Sequence, residues 1–357
     1  MEKKYVIIGA GNGGQSLAGD MTIRGTEVSA IYDKSVPAIK GINDRGGIKM
    51  SGPVVQGFAP IKLATNDLAT AMSAGDVFLV CITSNFQQAL AKEMAPYVRS
   101  GHTIVLIPGY PGSSLLFRKT LADCGVKEMP LLGETISFPY ATRLVEPGHA
   151  GIKARKGVLE AAALPANRNA EFIAILKKAI HEVVEAPDAL SVGLNNPNPT
   201  THIVYYLLNM GKVEAPTPAD FDFHAWGTPT TIRLQKAMDD ERLKVIAAMG
   251  LDGMSYDEFQ QIHYNGEHYK PLPQKDGALP SSSVQAPARF VDEDIPMGLI
   301  PVQSLARQYG VEVPVTDNLI MLGNMVRDRN FADVGTTVKS MGIDGLSIEE
   351  LKKLING

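Results

Sequence analysis

Apolar residues come in short, dense runs through the first half of the chain. Each run is followed by a segment whose apolar positions recur every three or four residues. The runs Tyr5–Ile8, Val28–Tyr32, Val77–Ile82, Thr103–Ile107 and Met129–Gly133 predict strands buried on both faces. Between them Gly13–Arg24, Pro37–Arg45, Phe86–Val98 and Ser113–Asp123 predict amphipathic helices, with Gly25 and Gly125 as helix stops. The alternation predicts a doubly wound parallel sheet with crossover helices.

From Ser137 to Ala163 the pattern becomes an alternation broken by Pro139, Pro147 and Gly148, which predicts antiparallel strands at the sheet edge. Asn169–Ile180 is another amphipathic helix. After Asp188 the period is helical almost throughout, over Thr200–Met210, Thr230–Met249, Tyr256–Tyr264, Gly298–Tyr309, Thr316–Arg327 and Ser347–Ile355. Gly266–Ala288, rich in Pro, Gly and Ser, predicts a long loop. An α/β domain over 1–186 is therefore expected to precede an all-α domain over 187–357.

Composition narrows the class. The 357 residues are 45% apolar and 20% charged, ordinary for a soluble globular chain of two domains. A net charge of -4 leaves no basic surplus for phosphates, which argues against a general nucleic-acid binder. No apolar run approaches the length of a membrane span. Lys3 and Lys4 precede an apolar run, but Tyr5–Ala10 is too short for a secretion signal. Cys81 and Cys124 make no disulfide framework, and a reducing, cytoplasmic setting is expected.

The first strand runs straight into Gly9-Ala10-Gly11-Asn12-Gly13-Gly14, a G-x-G-x-x-G at the mouth of a helix. Gly9 permits the tight turn, Gly11 lets a pyrophosphate approach the backbone, and Gly14 lets the helix pack on the strand. The helix N-terminus offers free N–H groups and a positive dipole end. Asp33 closes the second strand, nineteen residues after Gly14, where a carboxylate accepts from both adenosine ribose hydroxyls. The expectation is a Rossmann-type domain that binds NAD, with NADP as the less favoured cofactor because Asp33 repels a 2′-phosphate. Lys34, directly after it, softens that preference. Thr83-Ser84-Asn85 and Pro108-Gly109-Tyr110-Pro111-Gly112 leave strand C-terminal ends, where ligands sit in open α/β sheets. Either loop can line the nicotinamide ribose, through Thr83 or through Pro108 and Gly109, or be a plain turn.

Hydride transfer needs a proton donor and, for an acid substrate, a cation. Of seven histidines, His102, His149 and His181 sit at element ends or in an edge turn. His263 and His268 are poorly spaced for zinc and have no cysteine beside them, so no metal site is expected. His202 follows the rigid polar stretch Asn195-Asn196-Pro197-Asn198-Pro199-Thr200-Thr201, which places it near a helix start; helix-start histidines are also often merely exposed. Asp292, Glu293 and Asp294 precede another predicted helix, as capping acids or as a partner for an imidazole. Asp294 is nearest the helix.

GAGNGG at the N-terminus, GETISFPYATR in the middle, NNPNPTTH and the late RFVDEDIPMGLIPV together resemble the opine dehydrogenase family, along nearly the whole chain. The resemblance implies a dinucleotide domain joined to an all-α domain. It implies reductive condensation of a 2-oxo acid, often pyruvate, with the amino group of an amino acid, using NADH or NADPH. It places the family's catalytic histidine on His202 and its aspartate partner on Asp294. The family commonly has proline after that histidine, where this chain has Ile203. Arg143 and Arg289 are candidate carboxylate clamps. Glu134 and Thr135 are candidates for touching nicotinamide or substrate. Asp294 is expected to raise the pKa of His202. The competing expectations are a 2-oxo acid reductase of the ketopantoate-reductase or glycerol-phosphate-dehydrogenase sort, and a dinucleotide-binding sensor without chemistry. The partners expected are small molecules, with no membrane or nucleic acid, and the second domain is compatible with a monomer or a homodimer.

Overall fold

The computed structural model describes residues 3–215, 226–265 and 288–357. His224, His268 and nearly all of the Gly266–Ala288 stretch lie outside them.

The first part is built on an eight-stranded sheet. Its parallel centre is β1 (Tyr5–Ile8), β2 (Val28–Tyr32), and three further strands at Val77–Val80, Thr103–Leu106 and Leu131–Thr135. These strands are apolar at nearly every position because both faces are covered. Tyr5, Ile7, Leu79 and Val105 enter one core, while Val6, Ile8, Phe78, Val80, Ile104 and Leu106 enter the other. The first helix, α1, runs Asn12–Ile23 and the second, α2, Val36–Arg45. The Ser113–Asp123 helix has the bounds expected of it. The Phe86–Val98 segment is shorter as an α-helix, Gln87–Met94, with a 3-10 turn at each end.

The region after Ser137 departs from the expectation of edge strands alone. Tyr140–Glu146 and His149–Arg155 form a hairpin that leaves the main sheet. It joins Gly47–Ser51 and Gly57–Pro60 in a separate four-stranded sheet. One face of that sheet packs on α1, where Ile48, Met50, Ala59, Ala150 and Ile152 are buried with Leu17 and Met21. The strands Gly47–Ser51 and Gly57–Pro60 carry glycine, proline and charge, so their apolar signal is weak. Only Leu159–Leu164 pairs antiparallel with the main sheet, alongside Leu131–Thr135, and Val183–Glu185 follows it at the edge.

From Ala189 onward the described elements are helical: Ala189–Leu194, Pro197–Leu208, Pro229–Ala248, Ile300–Tyr309, Pro314–Arg327 and shorter pieces. The helix expected from Thr200 begins earlier, at Pro197, and Asn196 caps it by accepting from the Asn198 N–H at 2.9 Å. His202 therefore lies in the second turn, on a helix whose buried face holds Ile203, Val204 and Tyr206. The late acidic segment is helical itself. Arg289–Asp292 is a helical turn, Ile295–Leu299 a π turn, and no side-chain cap is made by Asp294. The reading of these acids as helix caps is thereby corrected. The two parts share a core, since Val245, Ile246, Phe259, Val302 and Leu305 pack in the same cluster as the sheet.

Candidate active site

The mouth of α1 is shaped by its glycines. Gly9 has φ +104°, and a Cβ there would stand 2.7 Å from the Cys81 carbonyl oxygen. A Cβ on Gly14 would overlap the Gly9 carbonyl. Gly11 differs, because its Cβ position is open space. No side chain caps α1, so its first amides remain as donors, as a bound pyrophosphate requires. The Asn12 side-chain oxygen accepts from Leu144 N–H at 2.8 Å, which ties the second sheet to this mouth. The Phe138 ring closes over Gly13.

Asp33 is half-buried at the end of β2. One carboxylate oxygen accepts from Ala10 N–H at 2.6 Å and the other from Ser35 N–H at 2.7 Å. It thus braces the glycine turn, and each oxygen retains a second lone pair for a ribose hydroxyl. Lys34 turns away to pair with Glu93 at 2.6 Å, so it does not offset Asp33. These residues fit a dinucleotide.

His202 and Asp294 meet, although they lie 92 residues apart in sequence, with Nδ1 and Oδ2 separated by 2.7 Å and both residues buried. The other Asp294 oxygen accepts from the Tyr110 hydroxyl at 2.5 Å. Tyr110 belongs to the Pro108–Gly112 loop and is itself buried, so its phenol needs this partner. The loop is fixed from the helical side, where Asn196 Nδ2 donates to the Gly109 carbonyl at 2.5 Å. The second loop engages the same acidic segment: Ser84 donates from N at 2.7 Å and from Oγ at 3.0 Å to Glu293. Both loops left open between lining and turning therefore dock the late motif onto the sheet.

Phe290 stacks on His202 with centroids 3.7 Å apart and planes at 7°. The Arg289 guanidinium lies 5.3 Å from the same ring and 3.3 Å from Glu293. Asp292 instead pairs with Arg327 at 3.0 Å. The three consecutive acids thus have three different partners. Burial pushes His202 below the ordinary histidine pKa of 6.5, with the Asp294 charge and hydrogen bond pulling upward against it. The expected upward shift is corrected: desolvation outweighs the carboxylate.

Of the two arginines, Arg289 stands beside His202. Arg143 lies on the second sheet opposite Gly151, between Thr142 and Leu144, which bond to Ser16 and Asn12 of α1. Thr83 precedes the 3-10 turn that carries Ser84, and Pro108 is partly exposed beside buried Gly109. Thr135 is buried, and its hydroxyl donates to the Ser137 carbonyl at 2.9 Å. Glu134 is also fully buried and accepts from Ser114 N–H at 2.8 Å and from the Ser114 hydroxyl. Sequence reasoning missed Tyr110, Ser84, Glu293 and Phe290. The one available signal was an aromatic inside a proline–glycine turn, which exposure alone would not favour. Among the described residues no cluster of His, Cys, Asp and Glu could hold a metal ion, and no helix is long and apolar enough to cross a membrane.

The helical part matches a family described as NAD/NADP octopine/nopaline dehydrogenase, alpha-helical domain, over residues 185–327. The chain is 30% identical to an opine dehydrogenase from Arthrobacter sp. (strain 1C), over 99% of each chain. A solved octopine dehydrogenase in complex with NADH and agmatine superposes with a TM-score of 0.78 at 21% identity, covering 100% of this chain and 98% of that one. Yersinopine dehydrogenase with NADP+ bound gives 0.71 at 15% identity, covering 99% and 98%.

Proposed function

The chain belongs to the opine dehydrogenase family, and from that premise we propose how its own residues carry the reaction. The enzyme is an NAD(P)H-dependent oxidoreductase that condenses a 2-oxo acid reductively with the amino group of an amino acid. The amine adds to the carbonyl carbon, water leaves, and the resulting imine is reduced to a secondary amine. The nicotinamide supplies the hydride that this reduction needs.

The observation that carries the residue assignment is the buried His202–Asp294 pair under Phe290. His202 rests neutral because burial depresses its pKa. It can therefore take the proton that the incoming ammonium must lose. The imidazolium so formed is stabilised by Asp294 at Nδ1. That proton is then given, through Nε2, to the hydroxyl that departs as water. Tyr110 holds the second Asp294 oxygen, which fixes the carboxylate for its bond to the ring. Arg289, whose guanidinium lies against the Phe290 ring that stacks on His202, binds the carboxylate of the oxo acid. Gly9, Gly11, Asn12, Gly13 and Gly14 receive the pyrophosphate, Asp33 the adenosine ribose, and Thr83, Pro108 and Gly109 border the nicotinamide end. With Lys34 paired to Glu93, NADH is preferred over NADPH.

A panel of 2-oxo acids, each with and without amino acids, tests the reading by following NADH and NADPH oxidation. Turnover should require both substrates and run faster with NADH. Oxidation by an oxo acid alone, at a rate indifferent to added amino acid, would overturn it in favour of a simple reductase.

A further inference from the structure

A second histidine–carboxylate pair lies in the molecule, away from His202. His263 sits in the π turn Gln261–Asn265, directly after the Tyr256–Gln260 helix, and is fully buried. Its Nε2 faces Glu160 Oε2 at 2.8 Å. Its Nδ1 faces the Phe259 carbonyl oxygen at 2.9 Å, and its ring stacks on Phe259 with centroids 3.9 Å apart. Glu160 belongs to the Leu159–Leu164 strand of the main sheet, so the pair joins the helical part to the sheet across 103 residues.

Both ring nitrogens face acceptors. Both bonds exist only when the His263–Glu160 unit holds two protons, either on the imidazolium or with one on the carboxyl. When one proton leaves, a lone pair confronts an oxygen, and one bond turns into a repulsion.

The pair is connected to the cofactor mouth. Lys156, just before the same strand, is buried and interacts electrostatically with Glu160. Its Nζ donates to the Phe138 carbonyl at 3.0 Å. The Phe138 ring lies against Gly13, where a Cβ would approach it to 2.8 Å. The Lys156 ammonium and the Phe259 carbonyl thus both face the pair.

We propose that Glu160 and His263 form a proton-dependent clasp that, through Lys156 and Phe138, sets how tightly the glycine mouth of α1 holds the dinucleotide. His263 and Glu160 act as positioning residues and do not touch the reacting atoms. The proposal rests on the cofactor lying at Gly9–Gly14.

Two substitutions separate the clasp from a static contact. In Glu160→Gln the amide N–H donates to a neutral imidazole Nε2, while Nδ1–H still donates to Phe259, so both bonds survive without titration. His263→Phe keeps the stack on Phe259 and removes both bonds. The dissociation constant of NADH, read by nicotinamide fluorescence, is measured at pH 6 and pH 9, with thermal unfolding confirming that each variant is folded. Wild type should weaken by about fivefold between the two, a coupling at the small end of those seen between linked sites. Glu160→Gln should hold the wild-type pH 6 value at both, and His263→Phe should be weak at both. Turnover at saturating NADH should change by less than about twofold in each variant, because the relay at His202 is untouched. An undiminished pH step in Glu160→Gln, which would assign the titration to Lys156, overturns the proposal. So does wild-type affinity in His263→Phe at pH 6. A wild type that binds no NADH would bring down the cofactor reading as well.

Discussion

At the mouth of α1 the functional groups are backbone amides on consecutive residues, and the glycine at the centre opens onto free space. Around His202 they are side chains drawn from Ser84, Tyr110, Asn196–His202 and Arg289–Asp294, closed under an aromatic ring. The first region binds a ligand by leaving side chains out. The second manages a proton by packing side chains in, so that burial and a carboxylate act on one imidazole in opposite directions. The contrast implies that damage at each place should read out differently: as affinity or folding at the glycines, and as turnover at the histidine.

The largest effect is expected from His202→Gln. Removing a positioned acid–base group costs turnover by about 10²- to 10⁴-fold. NADH affinity should stay near wild type, because His202 lies away from the α1 mouth. In the opine-oxidising direction the wild type needs neutral His202 as base. With its pKa below 6.5, oxidation should persist to pH values lower than an ordinary histidine would allow, and fall as His202 becomes protonated. Steady-state rates with fluorescence titration of NADH check both. Turnover within tenfold of wild type would remove His202 from the chemistry and erase the contrast.

The contrast also explains what could be read from the chain in advance. The cofactor mouth is local: a strand, a turn and a helix within about 30 residues carry their own periodicity and glycine spacing. The central strands and most helices were legible for the same reason. The Tyr110–Asp294–His202 cluster depends on contacts across 184 and 92 residues, which no local pattern encodes. His202 and Asp294 stood out as candidates from their local stretches but were joined as a pair through resemblance, and Tyr110, whose phenol completes them, was not singled out. The second sheet was hidden because its strands Gly47–Ser51 and Gly57–Pro60 are rich in glycine and polar residues, and their apolar positions serve only one face. The bond of Thr135 to the Ser137 carbonyl was hidden as well, because position at a strand end does not reveal whether the side chain meets solvent or a neighbouring carbonyl.

Within the glycine mouth, two substitutions sharpen the comparison. A Cβ on Gly14 runs into the Gly9 carbonyl, so Gly14→Ala must shift the helix or the turn. Overpacking of this kind costs about 1–3 kcal/mol, and the melting temperature should drop together with NADH binding. A Cβ on Gly11 meets no protein atom within 4 Å. Gly11→Ala should therefore leave the melting temperature unchanged while weakening NADH by roughly tenfold, about 1.4 kcal/mol, through intrusion on the pyrophosphate. Equal loss of stability in both variants would show that Gly11 serves the fold rather than the ligand.

The smallest effect on activity, and the most specific on stability, is expected at Glu134, which lies between the two regions. Its carboxyl is fully buried against Gly109 and Ser114, and one oxygen has no partner. Burial pushes its pKa up to about 8, against the Ser114 hydrogen bonds that pull it down. The folded protein therefore keeps the proton to about pH 8, whereas the unfolded chain releases it near the ordinary value of 4.5. Between those values folding takes up a proton, and stability falls as pH rises, by about 1.4 kcal/mol per unit. The contribution is fully present below the unfolded value and is lost through the folded one. Glu134→Gln removes the titration but keeps an oxygen for Ser114. Its amide N–H leaves a buried donor in place of the unpartnered oxygen, an offset that does not vary with pH. The readout is thus the slope: from pH 6 to pH 8, where the slope flattens as the folded group begins to ionise, urea unfolding of wild type should lose about 2 kcal/mol relative to the variant. Parallel stabilities across that window would mean that Glu134 is already ionised in the folded protein, and that the ground beneath the Tyr110 loop is charged as well as buried.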